Sequence, residues 1–93
     1  MQRKFVVHDQ RDSVGVAIRE IASGERAEGV ILGDGGVVRL EARQPIPFGH
    51  KIALRDLAAG SEVTRYGSCI GVATQPIAQG DHVHIHNVRS GRC

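Results

Sequence analysis

Short apolar runs alternate with turn residues along the whole chain, and these runs are rich in β-branched side chains. Val occurs eleven times and Ile eight times, against four Leu. Because β-branched side chains pack well on a pleated surface, the runs predict strands. The predicted strands are residues 4–8, 14–18, 27–32, 36–41, 51–53, 62–65, 70–73 and 82–87. Residues 14–22 also suit one face of a helix, and there we expect a strand followed by a short helical turn.

One sequence pattern occurs four times. It consists of Ala, an Ile or Leu four residues later, a Gly three residues after that, and then an apolar residue. The copies begin at Ala17, Ala42, Ala53 and Ala73, and their uneven spacing of 25, 11 and 20 residues excludes a solenoid. We expect the same turn at four corners of one small domain, with the Ile or Leu anchored in the core and the Gly at positive φ. These glycines are therefore interpreted as architectural rather than ligand-binding.

Composition limits the classes of protein to consider. The chain has 93 residues, which predicts a single mainly-β domain over residues 1–93, with residues 88–93 as a short C-terminal tail. The net charge is only +2 and three residues are aromatic, which argues against nucleic acid binding. No stretch approaches the ~20 apolar residues of a membrane span. Two cysteines form no disulfide framework, so we expect a reducing cytoplasm.

Three of the five histidines lie within five residues near the end of the chain. On a strand, His82, His84 and His86 would face one side, while Val83 and Ile85 would dock on the core. Neutral imidazole is a metal ligand and a general acid or base near neutral pH. Positions on the same face are about 7 Å apart, so two neighbouring imidazoles could share a metal ion. The alternative is a polar outer face that is rich in histidine; we favour a catalytic row.

Four further residues are candidates for the chemistry. His50 and Lys51 follow a glycine turn and could supply a base and a cation for a carboxylate, although a lysine beside a turn is often only a solvated charge. Tyr66, in a polar loop, and Asn87, at the end of the histidine row, are candidate substrate-binding residues. No complete catalytic set is present, and a chain this small cannot readily enclose a substrate pocket. We therefore expect the missing groups to come from another chain.

Four segments together resemble one known family. Residues 54–63, Tyr66-Gly67, Ile70-Gly71 and residues 77–87 are similar to the UxaA family, and more narrowly to its small SAF domain. That family contains altronate and galactarate dehydratases and sulfolactate sulfo-lyase. The opening residues 4–17 look closest to the sulfo-lyase small subunit, and the altronate type is nearly as similar. The resemblance implies a β-clip fold and a stand-alone small subunit.

The same resemblance implies a reaction, β-elimination from a 2-hydroxy acid such as altronate, galactarate or sulfolactate. The enzyme would need a larger catalytic subunit, and we expect the isolated chain to be inactive, without an intrinsic cofactor, and able to form a homo-oligomer. A divalent metal, iron(II) in the altronate enzymes, would act in the assembled enzyme. His50, Lys51 and the histidine row would lie at the edge of that site. The alternative function is a non-catalytic SAF module that binds a carbohydrate or a partner protein, or that drives oligomerisation.

Overall fold

The computed structural model describes residues 2–91, and within that range it contains strands and turns but no helix. The strands are β1 (Phe5–Val7), β2 (Val14–Ala17), β3 (Arg26–Ile31), β4 (Val37–Glu41), β5 (Lys51–Ala53), β6 (Glu62–Arg65), β7 (Ser68–Ala73), β8 (His82–Val83) and β9 (Val88–Ser90). The predicted mainly-β fold is confirmed. The helical turn expected after β2 is absent, since residues 18–20 form a bend and an irregular link. Nothing in residues 2–91 is a helix that could cross a membrane.

The strands form two sheets. The larger has six strands in the order β4-β3-β1-β2-β5-β8, and the smaller has three in the order β6-β7-β9. All neighbours are antiparallel except β1 and β3, which run parallel. This order brings β5, from the middle of the chain, beside β8 near its end. The pairing of β5 with β8 positions the candidate site.

The four predicted corner turns are confirmed, and they associate in two pairs. In each pair the N–H of the corner glycine donates to the carbonyl of the other corner's alanine, at 2.7–2.9 Å. These bonds run from Gly24 to Ala42, Gly49 to Ala17, Gly60 to Ala73 and Gly80 to Ala53. All four glycines have φ between 84° and 90°, a conformation that a side chain would strain. The two corners of each pair are thus joined by reciprocal hydrogen bonds, which hold distant segments of the chain together.

Each pair of corners organises its own hydrophobic core. The first core contains Ile21 and Ile46, which face each other in an isolated bridge, together with Phe5 from β1. The second contains Leu57 and Ile77, bridged in the same way. The remaining buried members are Val7, Ala17, Ala27, Leu40, Ala42 and Ile52 in the first core, and Val14, Ala53, Val63, Ala73 and Val83 in the second. Each corner therefore contributes both backbone hydrogen bonds to its partner corner and an apolar side chain to the core.

The strand predicted over residues 82–87 is wrong in its second half. It ends at Val83, and residues 84–87 form a turn that leaves Ile85 83% exposed rather than docked on the core. After the turn the chain enters β9, which pairs with β7 inside the segment expected to be a tail. Residues 92 and 93 of that tail lie outside the described residues. The turn changes how the histidines come together.

A candidate active site at a histidine cluster

The pairing of β5 with β8 places four histidines side by side. His50 precedes β5, and His82, His84 and His86 lie on β8 and in the turn that follows it. Ring centroids are 4.1 Å apart for His50 and His84, 5.0 Å for His50 and His82, and 5.2 Å for His82 and His86. We call these four residues the histidine cluster. The row predicted from strand alternation is therefore a cluster built by a turn, and it includes His50 from a distant part of the chain.

Asn87 holds the turn in shape. Its buried side chain accepts a hydrogen bond from the His84 N–H at 3.0 Å and donates one to the His82 carbonyl at 2.9 Å. The backbone N–H of Val88 donates to the His84 carbonyl at 3.1 Å, which closes the turn. Both ends of the Asn87 amide are thus bonded within the chain. Asn87 therefore positions the backbone that carries the His82 and His84 imidazoles. Substrate binding by Asn87 stays a prediction.

Three members of the cluster could hold a metal ion. One ring nitrogen from each of His50, His82 and His84 lies within 4.8 Å of the other two. His50 Nδ1 and His82 Nε2 are 2.8 Å apart, so one of them donates a hydrogen bond to the other. An ion at the usual 2.0–2.1 Å from each nitrogen would replace this hydrogen bond. Three imidazoles form a donor set that suits a divalent transition metal.

Burial and neighbouring imidazoles favour the neutral forms of two of these rings. The pKa of His82 is lowered first by partial burial and then by repulsion from His50, His86 and His84. The pKa of His84 is lowered by the same desolvation, followed by repulsion from His50 and Lys51. A neutral imidazole can accept a proton or ligate a metal. Both rings are therefore in the form that either role requires at neutral pH.

Lys51 lies beside the cluster at the mouth of a cleft. It lines, with His84, a cavity of about 110 Å³ between the two sheets. The other walls of the cleft are mostly apolar and comprise Val63, Ile70, Val83, Ile85, Val88 and Ser90. Burial lowers the pKa of Lys51, and the positive charge of Arg65 lowers it further. All five predicted catalytic residues thus lie at one end of the β5–β8 pair.

Tyr66 lies in a different setting, in the turn between β6 and β7. It is 58% exposed, packs on His8 at a ring distance of 4.1 Å, and accepts a hydrogen bond from Arg65 Nη2 at 3.1 Å. Its φ of 56° is uncommon for a residue other than glycine. The carboxylate of Asp12 stabilises this turn by accepting hydrogen bonds from the Tyr66 and Gly67 N–H groups, at 3.0 and 2.8 Å. Substrate binding by Tyr66 stays a prediction.

Sequence reasoning missed two residues of this region, Asp12 and Arg65. Asp12 is fully buried, and its carboxylate contacts a turn more than fifty positions away along the chain. Arg65 links Tyr66 to the neighbourhood of Lys51. No local pattern marks Asp12. The one available signal for Arg65 was the polar run that it begins and that precedes a strand.

Comparison with known proteins identifies relatives of two kinds. The chain is 42% identical over 93 residues to the alpha subunit of (2R)-sulfolactate sulfo-lyase from Chromohalobacter salexigens, and the match spans 99% of both chains. It is 34% identical over 88 residues to altronate dehydratase from Bacillus subtilis, where the match covers 95% of this chain but 16% of that enzyme. Over 79 residues it is 43% identical to altronate dehydratase from Escherichia coli, with 85% of this chain and 15% of that enzyme covered.

The family assignment agrees with the motifs in the sequence. The sequence model of the altronate/galactarate dehydratase SAF domain matches residues 3–91. This range includes every strand, all four corner turns and the histidine cluster. The chain therefore belongs to the SAF domain family of the altronate and galactarate dehydratases.

Proposed function

We propose that this chain is the small subunit of a lyase that catalyses β-elimination from a 2-hydroxy acid, and that it acts with a larger catalytic subunit. The observation that carries the proposal is the convergence of His50, Lys51, His82 and His84 beside one cleft. The match to a sulfo-lyase alpha subunit, which is 42% identical and spans 99% of both chains, supports the same proposal. The substrate is a sugar acid of the altronate or galactarate type, or sulfolactate.

The reaction needs a base and a cation, and this chain offers both. A base removes the proton on the carbon next to the carboxylate, and the β-substituent leaves with the bonding electrons. A sulfonate leaves directly as sulfite, whereas a hydroxyl group takes up a proton as it leaves and is released as water. The His84 imidazole can accept that proton when it is not bound to a metal, because desolvation and neighbouring positive groups lower its pKa and favour its neutral form. The Lys51 ammonium would stabilise negative charge that develops on the carboxylate. The histidine cluster and Lys51 thus supply the proton transfer and part of the charge stabilisation.

A divalent metal fits the same residues. His50, His82 and His84 would hold it, and it would supply polarisation of the substrate's carboxylate or of its leaving group. Iron(II) is the metal that the resemblance to the altronate enzymes implies, and imidazole nitrogens are suitable ligands for it. His86, whose ring lies against His82, is placed to orient that ring.

A larger partner is proposed because the cleft is small and open. Its volume of about 110 Å³ falls well below the several hundred Å³ of ordinary ligand sites. Two apolar side chains near the cluster are also exposed, Phe48 at 70% and Ile85 at 83%. A covering subunit would bury both and enclose the substrate. The B. subtilis altronate dehydratase, most of which lies outside the matched region, contains a polypeptide large enough for that role.

The test is reconstitution. The chain and a large lyase subunit of the sulfo-lyase or altronate dehydratase type are purified separately and mixed, and release of sulfite from sulfolactate or of a 2-keto acid from altronate and galactarate is measured. We expect turnover of one substrate by the mixture and none by either chain alone. Turnover by the 93-residue chain alone would contradict the need for a partner. Full turnover by the large subunit alone would instead favour the non-catalytic module.

A further inference from the structure

Two cations on the strands around the cleft, Lys51 and Arg65, have no acidic partner among residues 2–91. Lys51 lies on β5 and Arg65 ends β6. Lys51 lines the cleft together with Val63, which lies two residues before Arg65 on β6, and the positive charge of Arg65 lowers the pKa of Lys51. The ion pairs within residues 2–91 use other cations, namely Arg3, Lys4, Arg11, Arg39 and Arg43. Two like charges that are partly buried and influence each other destabilise the fold unless something compensates them. A region with uncompensated positive charge attracts anions.

The Arg65 guanidinium also has unused hydrogen-bonding capacity. Nη2 donates to the Tyr66 hydroxyl at 3.1 Å, and Cζ lies 4.6 Å from the centroid of the Tyr66 ring. Nε is buried and has no hydrogen-bond partner in the described part of the chain. A buried donor without a partner is rare and costs free energy, so it calls for an explanation. The Tyr66 side chain is 58% exposed and could move aside, which would make the guanidinium accessible to a ligand.

We propose that Lys51 and Arg65 bind an oxyanion, a carboxylate or a sulfonate, next to the histidine cluster. Both are binding residues: the ammonium contributes a point charge, and the guanidinium contributes the flat fork of N–H donors that matches an oxyanion. Lys51 lines the same cleft as His84, so the bound group would lie within reach of the imidazoles. Identifying the oxyanion as part of the 2-hydroxy acid rests on the proposed function; the anion site itself does not.

The site can be tested on the full chain without turnover. The Nε–H signal of Arg65 is followed by ¹H–¹⁵N NMR during titration with methanesulfonate or with acetate, and with sodium chloride at the same ionic strength. We expect a saturable shift with one or both oxyanions, and the better probe identifies the group bound. Lys51→Gln should weaken binding roughly tenfold or more. Arg19→Gln removes an exposed charge in the bend after β2 and should change nothing. Shifts no larger than those with chloride would overturn the proposal.

Kinetic measurements on the assembled enzyme distinguish a failure of the anion site from a failure of the proposed lyase function. There, Lys51→Gln and Arg65→Gln should raise KM by roughly tenfold to hundredfold, because each removes a charge-assisted hydrogen bond to substrate. Arg65→Lys keeps the charge and should restore part of the affinity, and it guards against a folding defect in the glutamine variant. An active complex with unchanged KM in all three variants would refute substrate binding here. An inactive complex whose small subunit still binds oxyanions would refute the lyase function and leave the anion site standing.

Discussion

The sharpest structural contrast lies between Val83 and Ile85, two residues apart and of similar chemistry. Val83 is 1% exposed in the second core, whereas Ile85 is 83% exposed in the turn after β8. Replacing Val83 with Ala removes two methyl groups, worth about 0.8 kcal/mol each in lost burial. The cavity left behind raises the total to roughly 2–3 kcal/mol. Ile85→Ala should change the free energy of unfolding by no more than about 0.5 kcal/mol.

Urea and thermal unfolding followed by far-ultraviolet circular dichroism would measure both effects. In a domain of this size, about 1 kcal/mol shifts Tm by roughly 4–8 °C, so Val83→Ala should lower Tm by roughly 10–20 °C. Ile85→Ala should leave Tm within a few degrees of the parent chain and serves as the matched control. Equal destabilisation by the two substitutions would mean that β8 continues through residue 87. That result would contradict the turn over residues 84–87, which brings the histidines together.

Three further predictions concern the cluster itself. Asn87→Ala should cost roughly 1–3 kcal/mol in unfolding experiments, because it removes the hydrogen bonds to partly buried backbone groups of His82 and His84. Zinc or cobalt(II) should raise the Tm of the chain and a chelator should reverse the effect; His82→Gln should abolish it, and His8→Gln should not. In the metal-free chain, the contribution of His82 and His84 to the free energy of unfolding should be fully present above pH ~6.5 and should be lost as the pH falls below it. The reason is that both residues have lower pKa values in the folded chain than in the unfolded chain. The double variant His82→Gln/His84→Gln should flatten that slope in pH-dependent urea titrations.

The corner turns were predictable because their chemistry is local. A small Ala, an apolar anchor and a Gly at fixed spacing specify a turn with positive φ wherever they occur, and the structure has it four times. The anchors themselves meet in pairs, Ile21 with Ile46 and Leu57 with Ile77. The spacing within one copy of the pattern carries no information about which corner pairs with which.

The site was predictable in composition but not in shape. The alternation of His82, Val83, His84 and Ile85 satisfies a strand, and the structure departs from it because the Asn87 side chain offers the backbone a competing set of hydrogen bonds. His50 joins the cluster through strand pairing across 32 residues, which no local pattern contains. The same holds for β9, which depends on its pairing with β7. Local chemistry therefore identified the candidate residues, and tertiary pairing arranged them.

The central claim is that the histidine cluster performs chemistry in an assembled lyase. Its most direct test is the turnover of the reconstituted complex with the triple variant His50→Gln/His82→Gln/His84→Gln in the small subunit, beside the control His8→Gln. Unfolding and subunit association are checked in parallel. We expect the triple variant to bind the large subunit and to lose at least roughly 100-fold in kcat, because it removes the proton-transfer and ligand groups together. Full turnover by a folded, associated triple variant would contradict the claim and leave the cluster as a polar surface.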